Sequence, residues 1–156
     1  MHTTAKADYA LRAAIELARR RPGTGRPAPV TRQAIAEAQD IPAKFLEHIL
    51  ADLKRARIIS SARGADGGYW LDVAAAEVTM ADVIRAVEGP LAGVRGERPE
   101  ALAYPDDLEA LQRAWIAVRA NLRTVLEQVT LADLCAGALP PSVDALADDP
   151  AAWHRR

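Results

Sequence analysis

Residues 62–70 read ARGADGGYW, three glycines and one arginine set between two apolar runs, IISSA at 58–62 and YWLDV at 69–73. The β-branched pair in the first run and the aromatic pair in the second predict two short strands. Gly64, Gly67 and Gly68 permit the positive φ values of a tight reversal, so the segment is expected to form the tip of a β-hairpin. A phosphate cradle of the form G-x-x-x-x-G-K-[ST] would open a helix, whereas Gly68 leads into a strand and no lysine follows it.

Before the hairpin, residues 4–20 carry Tyr9, Ala10, Ala13, Ala14 and Leu17 at helical spacing, and RPGTGRPAP at 21–29 reads as a loop. Thr31 is placed to cap a short helix holding Ile35. After a break over 38–41, Pro42 suits the first turn of another helix. Phe45, Leu46, Ile49, Leu50 and Leu53 give that helix an apolar stripe, and Lys44, Glu47, His48, Ala51 and Arg55 its polar face. Two short helices joined by a tight turn are a helix-turn-helix candidate, and a hairpin directly after one is a wing. A wing gives Arg63 a use, because its guanidinium can enter a narrow A·T-rich minor groove while glycines let the backbone approach. An arginine that only solvates a flexible turn is the alternative.

After the hairpin, Thr79 with Asp82 in the capping-box position opens TMADVIRAVEG, which Gly89-Pro90 stops. Residues 90–105, PLAGVRGERPEALAYP, form a linker long enough for a sensing role, with disorder as the alternative. Asp106 with Glu109 signals the next N-terminus, and Leu108, Leu111, Trp115, Val118, Leu122, Val125 and Val129 alternate three and four apart. A helix of about 24 residues, roughly 36 Å long, follows from that seam, and it reads as a dimerisation helix. A helix packed on its own domain is the alternative. Residues 131–143 add a helical turn or two before the proline pair, and the tail through Trp153 and Arg156 carries no signal.

The expected architecture is therefore mostly α, with a winged helix-turn-helix domain at 1–89, a linker or sensing loop at 90–105, and a dimerisation helix and tail at 106–156. A chain of 156 residues, half of them hydrophobic, supports one ordinary core. It has no run of about 18 apolar residues and no apolar stretch in its first nine, so the expected location is the cytoplasm. The net charge of −1 divides unevenly: residues 1–70 hold 12 basic and 7 acidic side chains, residues 71–156 hold 8 and 14. A basic half points to a polyanion, with solvated charge as the bland alternative. Cys135 is the only cysteine, which excludes an internal disulfide and a multi-thiolate metal site within one chain. His2, His48 and His154 are scattered, the Asp106-Asp107 pair suits a helix start, and no nucleophile, base and orienting group pair up, so no enzyme is expected.

With these motifs placed, the sequence resembles the Rrf-two family of bacterial winged helix-turn-helix transcription regulators. KADYALRA at 6–13, IPAKFLEHILADL at 41–53, SSARGADGGYWL at 60–71 and TMADVIRAVEG at 79–89 are similar to that family's motifs in their order, and VTLADL extends the likeness to about residue 134. The resemblance implies a homodimer on double-stranded DNA, and a two-fold protein with two recognition helices is expected to take an inverted-repeat operator. Its second helix-turn-helix helix would read the major groove through Lys44, Glu47 and His48, and its wing would use Arg63 and Gly64 in the minor groove. Thr4, Lys6, Thr31 and Arg32 would lie near the DNA as well. Glu47 suits cytosine N4 as an acceptor, and Lys44 suits guanine O6 or N7.

Cluster-holding members of the family carry cysteines in the segment matching 90–105, and this chain has none there. No iron–sulfur cofactor is expected, and a small effector between that segment and the long helix is the better candidate signal. The functional expectation is a homodimeric, sequence-specific regulator acting as a repressor. The alternatives are a winged-helix module that binds protein in a larger assembly, and a small enzyme with an anionic substrate at the wing.

Overall fold

In a computed structural model, residues 3–20 and 28–154 are described; most of the loop expected at 21–29, together with His2 and Arg156, lies outside them. Helix α1, Ala5–Arg19, is capped by Thr4, whose hydroxyl accepts from the Ala7 amide at 3.2 Å. Its inner face is Ala7, Ala10, Ala13, Ala14 and Leu17. With so many alanines the axis of α1 can be approached closely, and the other helices gather round it.

Thr31 caps α2, Arg32–Gln39, and Asp40 ends it in the left-handed conformation at φ 49°. Pro42 then precedes α3, Ala43–Arg55, which buries Leu46, Ile49, Leu50 and Leu53. Those four complete the i, i+3, i+4, i+7 set, each contributing roughly 1.5–3 kcal/mol of apolar burial. Phe45, expected in the same stripe, is not part of the core. It sits about 100° round the helix from Leu46, and it is 50% exposed.

The wing is an antiparallel pair, β1 Ile59–Ala62 and β2 Gly68–Leu71, in the register Ile59 to Leu71 through Ala62 to Gly68. The other edge of β2 is met by Val30, which exchanges two 2.8 Å backbone hydrogen bonds with Tyr69. Gly68 is required there: at φ 153° a Cβ would lie 2.7 Å from the Val30 carbonyl oxygen.

Helix α4, Met80–Glu88, opens with the expected capping box, the Asp82 amide donating to Thr79 Oγ1 at 3.2 Å and the Thr79 amide to Asp82 Oδ2 at 3.0 Å. The same device recurs at Thr130 and Asp133, which open α6, Leu131–Ala136. The two boxes lie side by side. Met80 donates to the Val129 carbonyl and Leu131 to the Val78 carbonyl, both at 2.9 Å, so the chain returns to its N-terminal body through an antiparallel bridge of Thr79 with Thr130.

That bridge corrects the seam. The helix expected over about 24 residues is α5, Glu109–Leu126, of 18 residues. Asp106–Leu108 forms a 3₁₀ turn, and no side chain caps α5, so Asp106 is not its N-cap. Val129 is 1% exposed and packed within this chain, because its carbonyl is tied to α4. The remaining seam divides: Leu122 and Val125 are half-buried, while Leu108, Leu111, Trp115 and Val118 are exposed.

The linker is fastened to α5. The Arg119 side chain, 11% exposed, donates to the Leu91 carbonyl at 3.2 Å and pairs with Glu100 at 3.5 Å. Gln112 donates to the Pro99 and Leu102 carbonyls at 3.1 and 2.7 Å. Leu91 and Pro99 are buried, and Val94 pairs with Glu97 across a short turn. The helical turn or two expected before the proline pair is α6, and two more short helices, α7 Pro141–Ala147 and α8 Pro150–Trp153, follow in the tail, where the sequence carried no signal. No helix among the described residues is long and apolar enough to cross a membrane.

Candidate nucleic-acid interface

The side of α3 turned away from the core presents Lys44, Glu47, His48 and Ala51, all exposed. No side chain caps its N-terminus; the Phe45 and Leu46 amides donate to the Pro42 carbonyl at 2.9 and 3.1 Å, and the positive end of the helix dipole lies there. His48 Nδ1 lies 3.0 Å from the Lys44 carbonyl oxygen. A carbonyl can only accept, so Nδ1 carries a proton.

Arg32, at the start of α2, pairs with Glu47 at 3.2 Å. Both side chains are half or more exposed, so the pair contributes little to stability. It holds the Glu47 carboxylate at a defined place on the outer face of α3.

The wing is set against this helix by Lys54, whose ammonium donates to Ser61 Oγ at 2.8 Å. Arg63 is exposed at the tip and forms no hydrogen bond or ion pair among the described residues. Gly64 next to it has φ 106°, a value that L residues avoid, and the Gly67 amide closes the turn onto the Gly64 carbonyl at 3.0 Å.

Thr4 and Lys6 stand differently. The Thr4 hydroxyl accepts from the Ala7 amide and donates to Glu88. Lys6 donates to Asp52 Oδ2 at 2.7 Å and to the Val87 carbonyl at 2.8 Å. These two side chains fasten α1 to α3 and α4, which leaves one Lys6 donor for an outside partner. The hydrogen bond from Lys6, followed by that from Arg55 and opposed by burial, holds the Asp52 carboxyl below its ordinary value.

Two features escaped the sequence reading. Phe45 lies beside His48 on the rim of the outer face of α3, its ring edge-on to Tyr9 with centroids 6.0 Å apart. The signal was available: positions 46, 49, 50 and 53 already fill a helical stripe. Arg57, just past α3, adopts φ 60° where glycine is usual. Ile58 donates to the Leu53 carbonyl and Arg57 to the Lys54 carbonyl, closing the helix in a Schellman motif that turns the chain into the wing.

Beside α5, a cavity of about 410 Å³ lies between α4, the linker and the helix, lined by Ile84, Glu88, Leu91, Leu122 and Leu126. Nearer the turn, Arg95 lies over the Tyr104 ring at 5.7 Å.

Comparison with known proteins agrees with this arrangement. The chain is 45% identical over 149 residues to Rv1287 of Mycobacterium tuberculosis strain H37Rv, covering 96% of this chain and 90% of that protein. It is 33% identical over 134 residues to the HTH-type transcriptional regulator CymR of Bacillus subtilis strain 168, covering 86% and 89%. The solved structure of CymR, described as the global cysteine regulator of B. subtilis, superposes with a TM-score of 0.71 at 31% identity over 88% of this chain and 98% of that one. IscR of T. potens superposes with a TM-score of 0.66 at 28% identity, covering 100% and 93%. The family model Rrf2, "Iron-dependent Transcriptional regulator", matches residues 3–137. A helix-turn-helix, a two-stranded wing and a family match that spans both place this chain in the Rrf2 family of winged helix-turn-helix transcription regulators.

Proposed function

We propose that the protein is a homodimeric, cytoplasmic repressor that binds an inverted-repeat DNA site. In this reading α3 enters the major groove, where Lys44, Glu47 and His48 meet base edges with Arg32 beside them. Arg63 and Gly64 of the wing reach the adjacent minor groove, and Thr31 and the free Lys6 donor lie toward the phosphates. Residues 1–89 serve as the DNA-binding part, 90–105 as the linker and 106–156 as the dimer-forming part. The observation that carries the reading is the pairing of an exposed polar face on α3 with an unpartnered arginine on a glycine-built wing.

Dimerisation is supported by α5, none of whose residues is buried although Leu111, Trp115, Ile116 and Val118 lie exposed on it. A two-fold protein presents two recognition helices, so its half-sites lie about one helical turn apart or a multiple of it. A small effector has a place in the cavity between the linker and α5.

Iron held as a thiolate cluster does not fit. The whole chain has one cysteine, outside the linker. Its thiol donates to the Ile15 carbonyl at 3.8 Å, and burial raises its pKa, which disfavours the thiolate a cluster requires.

The test is duplex binding across a salt series together with sedimentation. Affinity should fall linearly on logarithmic axes as salt rises. Binding indifferent to salt, or a monomer bound to one asymmetric half-site, overturns the reading. Replacing Leu111 and Trp115 together by glutamate should yield a folded monomer, since a buried unpaired charge costs about 3–5 kcal/mol.

A further inference from the structure

We propose that Phe45 is a thymine reader, selecting a base pair by the C5-methyl group in the major groove; this rests on α3 being the groove-reading helix. Phe45 is the chain's only phenylalanine, and it stands in the first turn of α3 beside the reading face. Half of it is exposed although the core beside it is closed by Leu46, Ile49, Leu50 and Leu53, all at most 1% exposed. A large apolar ring left at the edge of a polar face calls for an apolar partner.

The major groove offers few. Base edges there display ring nitrogens, carbonyl oxygens and amino groups, and the one apolar group is the thymine methyl. Contact with that methyl would separate T·A from C·G and G·C by shape, independently of the hydrogen bonds from Lys44, Glu47 and His48.

The ring is also held ready. Tyr9 meets it edge-on at 64°, and Tyr9 in turn lies under the Arg12 guanidinium at 5.7 Å from its centroid. Lys6, His48, Ala51, Asp52 and Arg55 line the shallow groove beside it. A ring braced on its protein side loses little freedom when it meets a base, so the methyl contact keeps most of its value.

The experiment first selects the best-bound duplex from a random library, then replaces each thymine in it by deoxyuridine, which removes only the methyl. Wild type should lose roughly three- to tenfold in affinity at one thymine per half-site, the scale of one buried methyl. Phe45→Ala should bind the thymine and deoxyuridine duplexes alike, and Phe45→Leu should show an intermediate ratio. The ratio within one variant cancels any general weakening, and Phe45→Leu supplies it should Phe45→Ala fail to fold. Salt-dependent binding with no methyl effect in wild type overturns the proposal and leaves the DNA-binding reading intact. So does an undiminished methyl effect in Phe45→Ala. No duplex selected at all overturns both.

Discussion

Helices α3 and α5 carry comparable apolar stripes, and the chain covers only the first. Leu46, Ile49, Leu50 and Leu53 of α3 meet α1 and α4 in the core, whereas Leu111, Trp115 and Val118 of α5 remain at the surface. The cause is where the chain goes. Residues 28–88 wind round the alanine face of α1, but the chain leaves that body after Glu88 and rejoins it at Val129, with α5 in between. Between those points it is fastened to the linker, through Gln112 and Arg119, and touches α4. An apolar stripe therefore states that something covers a helix, and the tertiary path decides whether that is the same chain.

The comparison breaks most visibly on matched truncations. Leu53→Ala should lower stability by about 2–5 kcal/mol through lost burial and a cavity, while Leu111→Ala, measured at low protein concentration, should cost under about 1 kcal/mol. Urea unfolding of both checks this; equal losses would mean that α5 is covered within the chain.

The outer side of the α3 region should respond in the opposite sense to its core side. Arg63→Ala should weaken specific DNA binding by roughly 1–3 kcal/mol with an unchanged thermal midpoint, because the side chain is exposed and forms no hydrogen bond or ion pair among the described residues. Duplex titration beside a melting curve gives both values, and a lowered midpoint at unchanged affinity would reassign Arg63 to the fold.

A smaller effect tests how α3 is held by its flank. Asp52 has its pKa lowered from 3.8, so the Lys6–Asp52 link contributes fully at neutral pH and is lost as the pH falls through the depressed value. Asp52→Asn should cost about 1 kcal/mol at pH 7, and the gap from wild type should close below pH 3.8. Acid unfolding of the two proteins measures it; a gap that widens in acid would show that the link is not what the substitution removes.

The smallest change should be a gain. Arg57→Gly relieves a left-handed φ of 60° at the end of α3 and should raise stability by about 0.5–1 kcal/mol. A loss in the melting midpoint would show that the Arg57 side chain makes up for its backbone.

Much of the fold was legible because local chemistry decides local structure. The glycines of residues 62–70 permit a tight reversal between two strand-like runs, Thr31 and Thr79 offer hydroxyls where helix amides lack acceptors, and the spacing of Leu46, Ile49, Leu50 and Leu53 repeats with the helix. The placement of Lys44, Glu47 and His48 on one face of α3, and of Arg63 and Gly64 on the wing, follows from the same local rules. What escaped them were bonds between distant residues. Val129 fits a seven-residue seam, but its carbonyl is claimed by Met80, 49 positions earlier, and that hydrogen bond ends the seam by folding the chain back. Lys6 is basic and N-terminal, yet Asp52 and Val87 occupy two of its donors. Arg119 and Gln112 read as surface residues of a helix until the linker carbonyls they bind are brought to them. A side chain's type and period determine which face of an element it occupies; what meets that face depends on segments that only the tertiary path brings together.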